Sequence, residues 1–155
     1  MKRIISLLFL FASYAVGVFA GNDNVLKYDI HGAGSGSEGT LLVKVYVYGK
    51  VVSDADLKCA AVHGVVFRGC EGNESGAYQP PMASPKAEAD YASFCDTFFS
   101  ADGLCQNYAS IIEGSYERVK TKKGYKIGAI LQVDKTALRK DLEDVGLVKS
   151  LSTGF

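Results

Sequence analysis

An α+β fold, a mainly antiparallel sheet with about three helices packed on one face, is predicted by three features of the sequence. Residues 40–48 alternate strictly, with Leu41, Val43, Val45 and Val47 on one side and Thr40, Lys44, Tyr46 and Tyr48, with Leu42, on the other, which is a half-buried strand. Residues 55–68 are apolar on two opposed sides of a helical wheel, so that helix must be covered on both. Two strand-like runs, 115–121 and 125–133, meet at Lys122-Lys123-Gly124, a hairpin signal. Strands joined by hairpins, with helices between and after them, pack best as a sheet with its helices on one face.

The elements follow in order. Met1-Lys2-Arg3 is a basic start, residues 4–11 and 15–20 are greasy, and Val18-Phe19-Ala20 closes the run. That is the order of a secretory signal peptide, expected over 1–20 with cleavage before Gly21. A membrane anchor would need about 20 apolar residues, and Ser13 and Tyr14 interrupt this run. No cysteine stands near the cut to take a lipid, and no second hydrophobic span follows. Residues 21–39 read as a flexible or short-strand segment, with a β-like run at 25–30 and a glycine- and serine-rich stretch at 32–39. Residues 40–155 read as one α+β domain, large enough to bury a core without staples.

Ser53 and Asp54 cap the helix at 55–68. Leu57, Ala60, Ala61, Gly64 and Phe67 fall on one side of it, and Cys59, Val62 and Val66 on the opposite one. Gly64 costs about 1 kcal/mol of helix propensity relative to alanine, a cost that the close approach of a neighbour would explain. Gly72, Gly76, Pro80 and Pro81 make 71–84 the least regular stretch. Ser84-Pro85 opens a second helix, with serine as cap and proline in the first turn. Tyr91, Phe94, Cys95 and Phe98 recur along it at helical spacing until Asp102-Gly103. In the closing hairpin Ile127, Ala129, Leu131 and Val133 form the apolar face. Asp134 caps a last helix with Leu138, Leu142 and Val145 inward, and Gly146 stops it.

Several motifs fail on their context. Gly34-Ser-Gly36-Ser-Glu-Gly39 has the letters of a dinucleotide fingerprint, but a strand follows where the chemistry needs a helix N-terminus. It reads as a hairpin or linker. No Gly-x-Ser-x-Gly elbow is present. Cys59 and His63 are four residues apart on one helix face, but an activated thiolate must be partly exposed, and Cys59 reads as buried. The cysteine spacings are not those of zinc ligands, and no catalytic residue, cofactor or metal is expected. Four cysteines in an exported chain suggest disulfides, with three pairings open. Within one helix Cys59 and Cys70 would stand about 16 Å apart, beyond the roughly 7 Å limit for a bridge. A Cys95–Cys105 bond, across a helix end and a turn, stays feasible, as do free thiols. Asn73-Glu74-Ser75 is a glycosylation sequon.

The chain has 17 basic and 17 acidic residues. Loss of Lys2 and Arg3 with the leader leaves it acidic by two, with no general attraction to nucleic acid or anionic membrane. The charge is segregated, however. Acidic residues dominate 70–117, whereas Arg118, Lys120, Lys122, Lys123 and Lys126 crowd one hairpin. That cluster is either solvated surface or a docking surface for an acidic partner.

From 42 to 155 the chain resembles an exported cell-envelope family without an assigned activity. The resemblance is carried by residues 42–48, by Ala61-Val-His-Gly-Val-Val-Phe-Arg-Gly69 and by Leu138-Arg-Lys-Asp-Leu-Glu143. In its order of elements it is also similar to small domains of flagellar- and curli-associated envelope lipoproteins, although the lipid-attachment cysteine is missing. The resemblance implies an assembly or scaffold component rather than an enzyme. The expectation is therefore a non-enzymatic exported protein, periplasmic or surface-associated, that binds another cell-envelope protein. The alternative is a small-ligand carrier or sensor domain in the periplasm.

Overall fold

The computed structural model describes residues 26–72 and 78–151; the expected leader and the Asn73 sequon lie outside them. The strands are β1 (Tyr28–Ser35), β2 (Thr40–Tyr48), β3 (Ala109–Ile111), β4 (Glu117–Thr121) and β5 (Gly124–Asp134). The helices are α1 (Asp54–His63), α2 (Pro85–Asp90), α3 (Ala92–Phe98) and α4 (Lys135–Val145). This is an α+β fold. The sheet is antiparallel throughout, in the order β1-β2-β5, and β3 and β4 share the remaining edge of β5.

The alternation in β2 and β5 sets the core. Val43, Val45 and Val47 face the helices beside Ala129, Leu131 and Val133, and all six are buried. From the helix layer Leu57, Ala61, Leu138 and Leu142 join them in one buried cluster, each burial stabilising the fold by about 1.5–3 kcal/mol for a valine- or leucine-sized side chain. The two-sided helix is two-sided in fact. α1 lies against β2, β3 and β5 and is covered outside by a short 3-10 turn, Leu104–Tyr108. Ser53 caps it reciprocally with Asp56.

The helix continues past His63 as a wide π-turn, Gly64–Arg68, closed by the Gly69 N–H donating to the Gly64 carbonyl at 2.8 Å. A Cβ on Gly64 would come within 2.5 Å of Ile30 Cδ1 and 3.3 Å of the Tyr28 ring, which is the close neighbour its glycine implies. Gly69 has φ +69°, and a Cβ there would meet the Gln79 carbonyl at 2.5 Å and Pro81 N at 2.9 Å.

Four expectations need correction. β1 runs into the glycine stretch as far as Ser35, with a bulge between Gly32 and Gly34, because Gly34 takes φ +121°. The second helix breaks at Tyr91 into α2 and α3. Val145 is 44% exposed, and Leu147 and Val148 fill the core instead. The fourth concerns the thiols: Cys95 and Cys105 do not pair. Cys105 bonds Cys59, with their Cα atoms 5.5 Å apart, and Cys70 and Cys95 are free. The 104–108 turn lies on α1 and so carries Cys105 onto that helix rather than back to α3.

Candidate functional site

The hairpin cluster is divided by the sheet. Residues 118 and 120 lie on one face of β4, opposite Ile127 and Tyr125, while Lys126 lies on the other face of β5. Arg118 stacks over the Tyr125 ring at 4.1 Å. Lys126 belongs to a separate network on the helix-free face, 3.4 Å from Asp29 and 4.2 Å from the Tyr46 ring centre. There Tyr48 donates to Asp29 at 2.6 Å, Tyr46 donates to Glu117, and Lys44 pairs Glu117 at 2.7 Å. Glu117 is held below the usual carboxylate range by its bonds to Lys44 and Tyr46. The Tyr46 ring lies over Gly128, where a Cβ would intrude to 2.5 Å. Lys126 is thus neutralised and removed from the cluster.

What remains is enlarged from elsewhere in the chain. The Tyr48 N–H bonds the Lys27 carbonyl, and the Gly49 N–H bonds the Tyr125 carbonyl. Lys27 and Lys50 therefore stand at the same end of the sheet as the β4–β5 turn. Lys27, Lys50, Lys120, Lys122 and Lys123 are exposed there, and none of the five makes a side-chain ion pair or hydrogen bond among the described residues. Val51, 91% exposed, adds an apolar point to this end. Sequence reading missed Lys27 and Lys50 because register, not spacing, brings them in.

A second feature lies at the β1 edge, a groove of about 500 Å³ lined by residues of β1, α1, α2 and α3. His63 lines it, held by two partners. The imidazole Nε2 is 2.8 Å from Glu88 Oε1, and Nδ1 is 2.6 Å from the Tyr28 hydroxyl. A carboxylate only accepts, so the Nε2–H donates to Glu88, and Nδ1 is left to bond the Tyr28 hydroxyl. Burial pushes the Tyr28 phenol well up, so it stays protonated and is no nucleophile. Arg68 covers its ring at 4.0 Å and donates to its carbonyl at 3.1 Å. The arrangement fixes an imidazole; it does not activate an attacking group.

Cys59 lines the same groove, but its sulfur is in the disulfide, which removes the thiolate–imidazole reading. Cys95, also lining it, is pushed up to about 11, first by burial and then by Glu88 and Asp96. Among the described residues no three His, Cys, Asp or Glu side chains gather as metal ligands would, and no helix is long and apolar enough to cross a membrane. His31 is exposed on β1 with its ring 6.4 Å from that of Tyr46, away from His63. No protein-family model, curated protein or solved structure matches this chain.

Proposed function

We propose that the protein is a non-catalytic exported component of the cell envelope that holds an acidic protein partner through the cationic end of its sheet. One observation carries this reading: five lysines from three separate segments converge there, and among the described residues no carboxylate is bonded to them. On the helix-free face the fold pairs its half-buried cations, Lys44 with Glu117 and Lys126 with Asp29. Like charges left together cost stability in the free chain and are relieved when an acidic surface covers them. The exposed Val51 beside them suits a protein surface better than a purely ionic polymer.

Replacing Lys120, Lys122 and Lys123 with glutamate tests the reading. Stability should stay within about 0.5 kcal/mol of the parent, since all three are exposed. Partner capture by crosslinking in the envelope should weaken and lose its salt sensitivity. Capture at unchanged strength would remove this surface from consideration. Export is checked separately, by N-terminal sequencing that should begin at or within a few residues of Gly21.

A further inference from the structure

The cationic hairpin and the groove lie on opposite edges of one sheet, and their charges are opposite. β1 is one edge and β4 the other, with β2 and β5 between them, so about 14 Å of sheet separates the two strands. The groove at the β1 edge carries Asp56, Glu88 and Asp96, and among the described residues no lysine or arginine lines it.

Each of these carboxylates has capacity to spare. Asp56 uses only Oδ2, which accepts from the Ser53 N–H and hydroxyl. Glu88 uses Oε1 on His63, and its Oε2 has no partner among the described residues. Asp96 is exposed and makes no hydrogen bond or ion pair among the described residues. The negative field reaches the groove wall, where Glu88 and Asp96 add to the burial that raises the Cys95 thiol. The walls themselves are apolar, with Leu26, Ala60 and Phe99, and the volume is within the roughly 300–1,000 Å³ of sites that take a ligand.

A molecule with unpaired ammonium groups on its β4–β5 hairpin and spare carboxylates around a groove at its β1 edge carries its own complement. It cannot satisfy that complement internally, because both features are fixed to one paired sheet. We propose that the β4–β5 hairpin of one copy, led by Lys122 and Lys123, seats in the Asp56–Glu88–Asp96 groove of a second copy.

This inference rests on the hairpin being a docking element and names its partner. Hairpin and groove sit on opposite edges of the sheet, so two copies joined at one contact do not return it, and the contact is heterologous. Each added copy presents a fresh hairpin or a fresh groove, and the assembly grows head to tail into a ring or an open filament rather than stopping at a symmetric pair. Exposed lysine–carboxylate pairs are individually weak, which makes the contact reversible and sensitive to salt.

Sedimentation velocity of the whole protein tests this. Species larger than the monomer are expected at about 0.01 M salt, reverting to monomer at about 1 M, where screening shortens from about 30 Å to about 3 Å. Lys122→Gln with Lys123→Gln should weaken self-association about tenfold or more, and so should Glu88→Gln with Asp96→Asn. Asp96→Asn alone serves as a groove variant that leaves the His63 bond untouched. Mixing the hairpin variant with the groove variant should give a one-to-one pair and nothing larger, because a single productive contact survives between them.

A monomer at every salt concentration overturns the inference, as does association that both variant pairs leave unchanged. An organic cation found in the groove with no self-association would also overturn it and make the groove a ligand site. If the wild type is monomeric at low salt but an acidic envelope protein still binds the hairpin, only this inference fails. If the hairpin variants change neither kind of binding, the proposed function fails with it.

Discussion

Single residues decide how much of the chemistry is open. Bonding Cys59 to Cys105 closes a sequence separation of 46 residues, and in the chain-entropy account that constraint contributes about 4 kcal/mol. Cys59→Ser with Cys105→Ser should lower unfolding stability by about that amount in urea titrations, and the wild type should show two titratable thiols per unfolded chain. Cys95 adds a pH signature. Its thiol is raised from its ordinary 9.0 to about 11, so the folded chain favours the neutral form. The stability this gives is whole below pH 9 and is lost as pH rises toward 11. Alkylation of Cys95 at pH 8 should accordingly be much slower in the native chain than after unfolding. His63 was visible in the sequence as a helix residue on the same face as Cys59. Its partners Tyr28 and Glu88 were not, because they stand 35 and 25 residues away and no local spacing records a contact that only the tertiary fold makes.

At the scale of elements, periodicity carried the long pieces and failed on the short ones. Thr40–Tyr48 and Gly124–Asp134 are long enough for alternation to show, and Val62, buried in α1, follows from the wheel. Ala109–Ile111 is three residues long and cannot display a period of two. The π-turn leaves no mark either, because a hydrogen bond one residue wider changes no residue preference strongly. Its cost shows at its exit. Gly69 combines φ +69° and ψ −175° with backbone atoms of Gln79 and Pro81 where a side chain would go. Gly69→Ala should therefore destabilise by at least about 2 kcal/mol in denaturant melts, since a side chain forced into that region costs about 1–3 kcal/mol before any clash. Gly64→Ala is the control. There the nearest obstacle is the tip of Ile30, which can turn aside, and alanine regains about 1 kcal/mol of helix propensity. A Gly69 variant as stable as the Gly64 variant would mean that the turn relaxes freely.

Across the whole molecule, what the sequence displayed was the uneven spread of charge, and what it hid was where the fold puts each charge. Arg118 to Lys126 looked like one patch because the residues are close in number. The sheet turns Lys126 to the opposite face and gives it Asp29, then recruits Lys27 and Lys50 from the far ends of β1 and β2. Period two explains the first event, since neighbours on a strand point apart. The second depends on strand order, which hydrophobic pattern does not encode. The groove was illegible for the same reason, as its carboxylates come from α1, α2 and α3.

The divided edge of β5 has a consequence in time rather than in space. On one side β2 accompanies β5 from Lys126 to Asp134. On the other, β3 and β4 are separate flaps, joined through Ser115, whose hydroxyl accepts the Ile130 N–H at 3.0 Å and donates to the Ile112 carbonyl at 2.6 Å. Lifting the β4 flap breaks its pairing with β5 and the bonds of Glu117 to Lys44 and Tyr46 but leaves the β2–β5 ladder in place, whereas parting β5 from β2 opens the core. Amide protons of β5 bonded to β2 should thus exchange with solvent only on the slow clock of global unfolding. Those bonded to β4 should follow a faster one, the opening of a single hairpin. The cationic tip rides on that faster flap, so a bound partner would be read first as a slowing of β4 exchange, with the β2–β5 amides keeping their original rate.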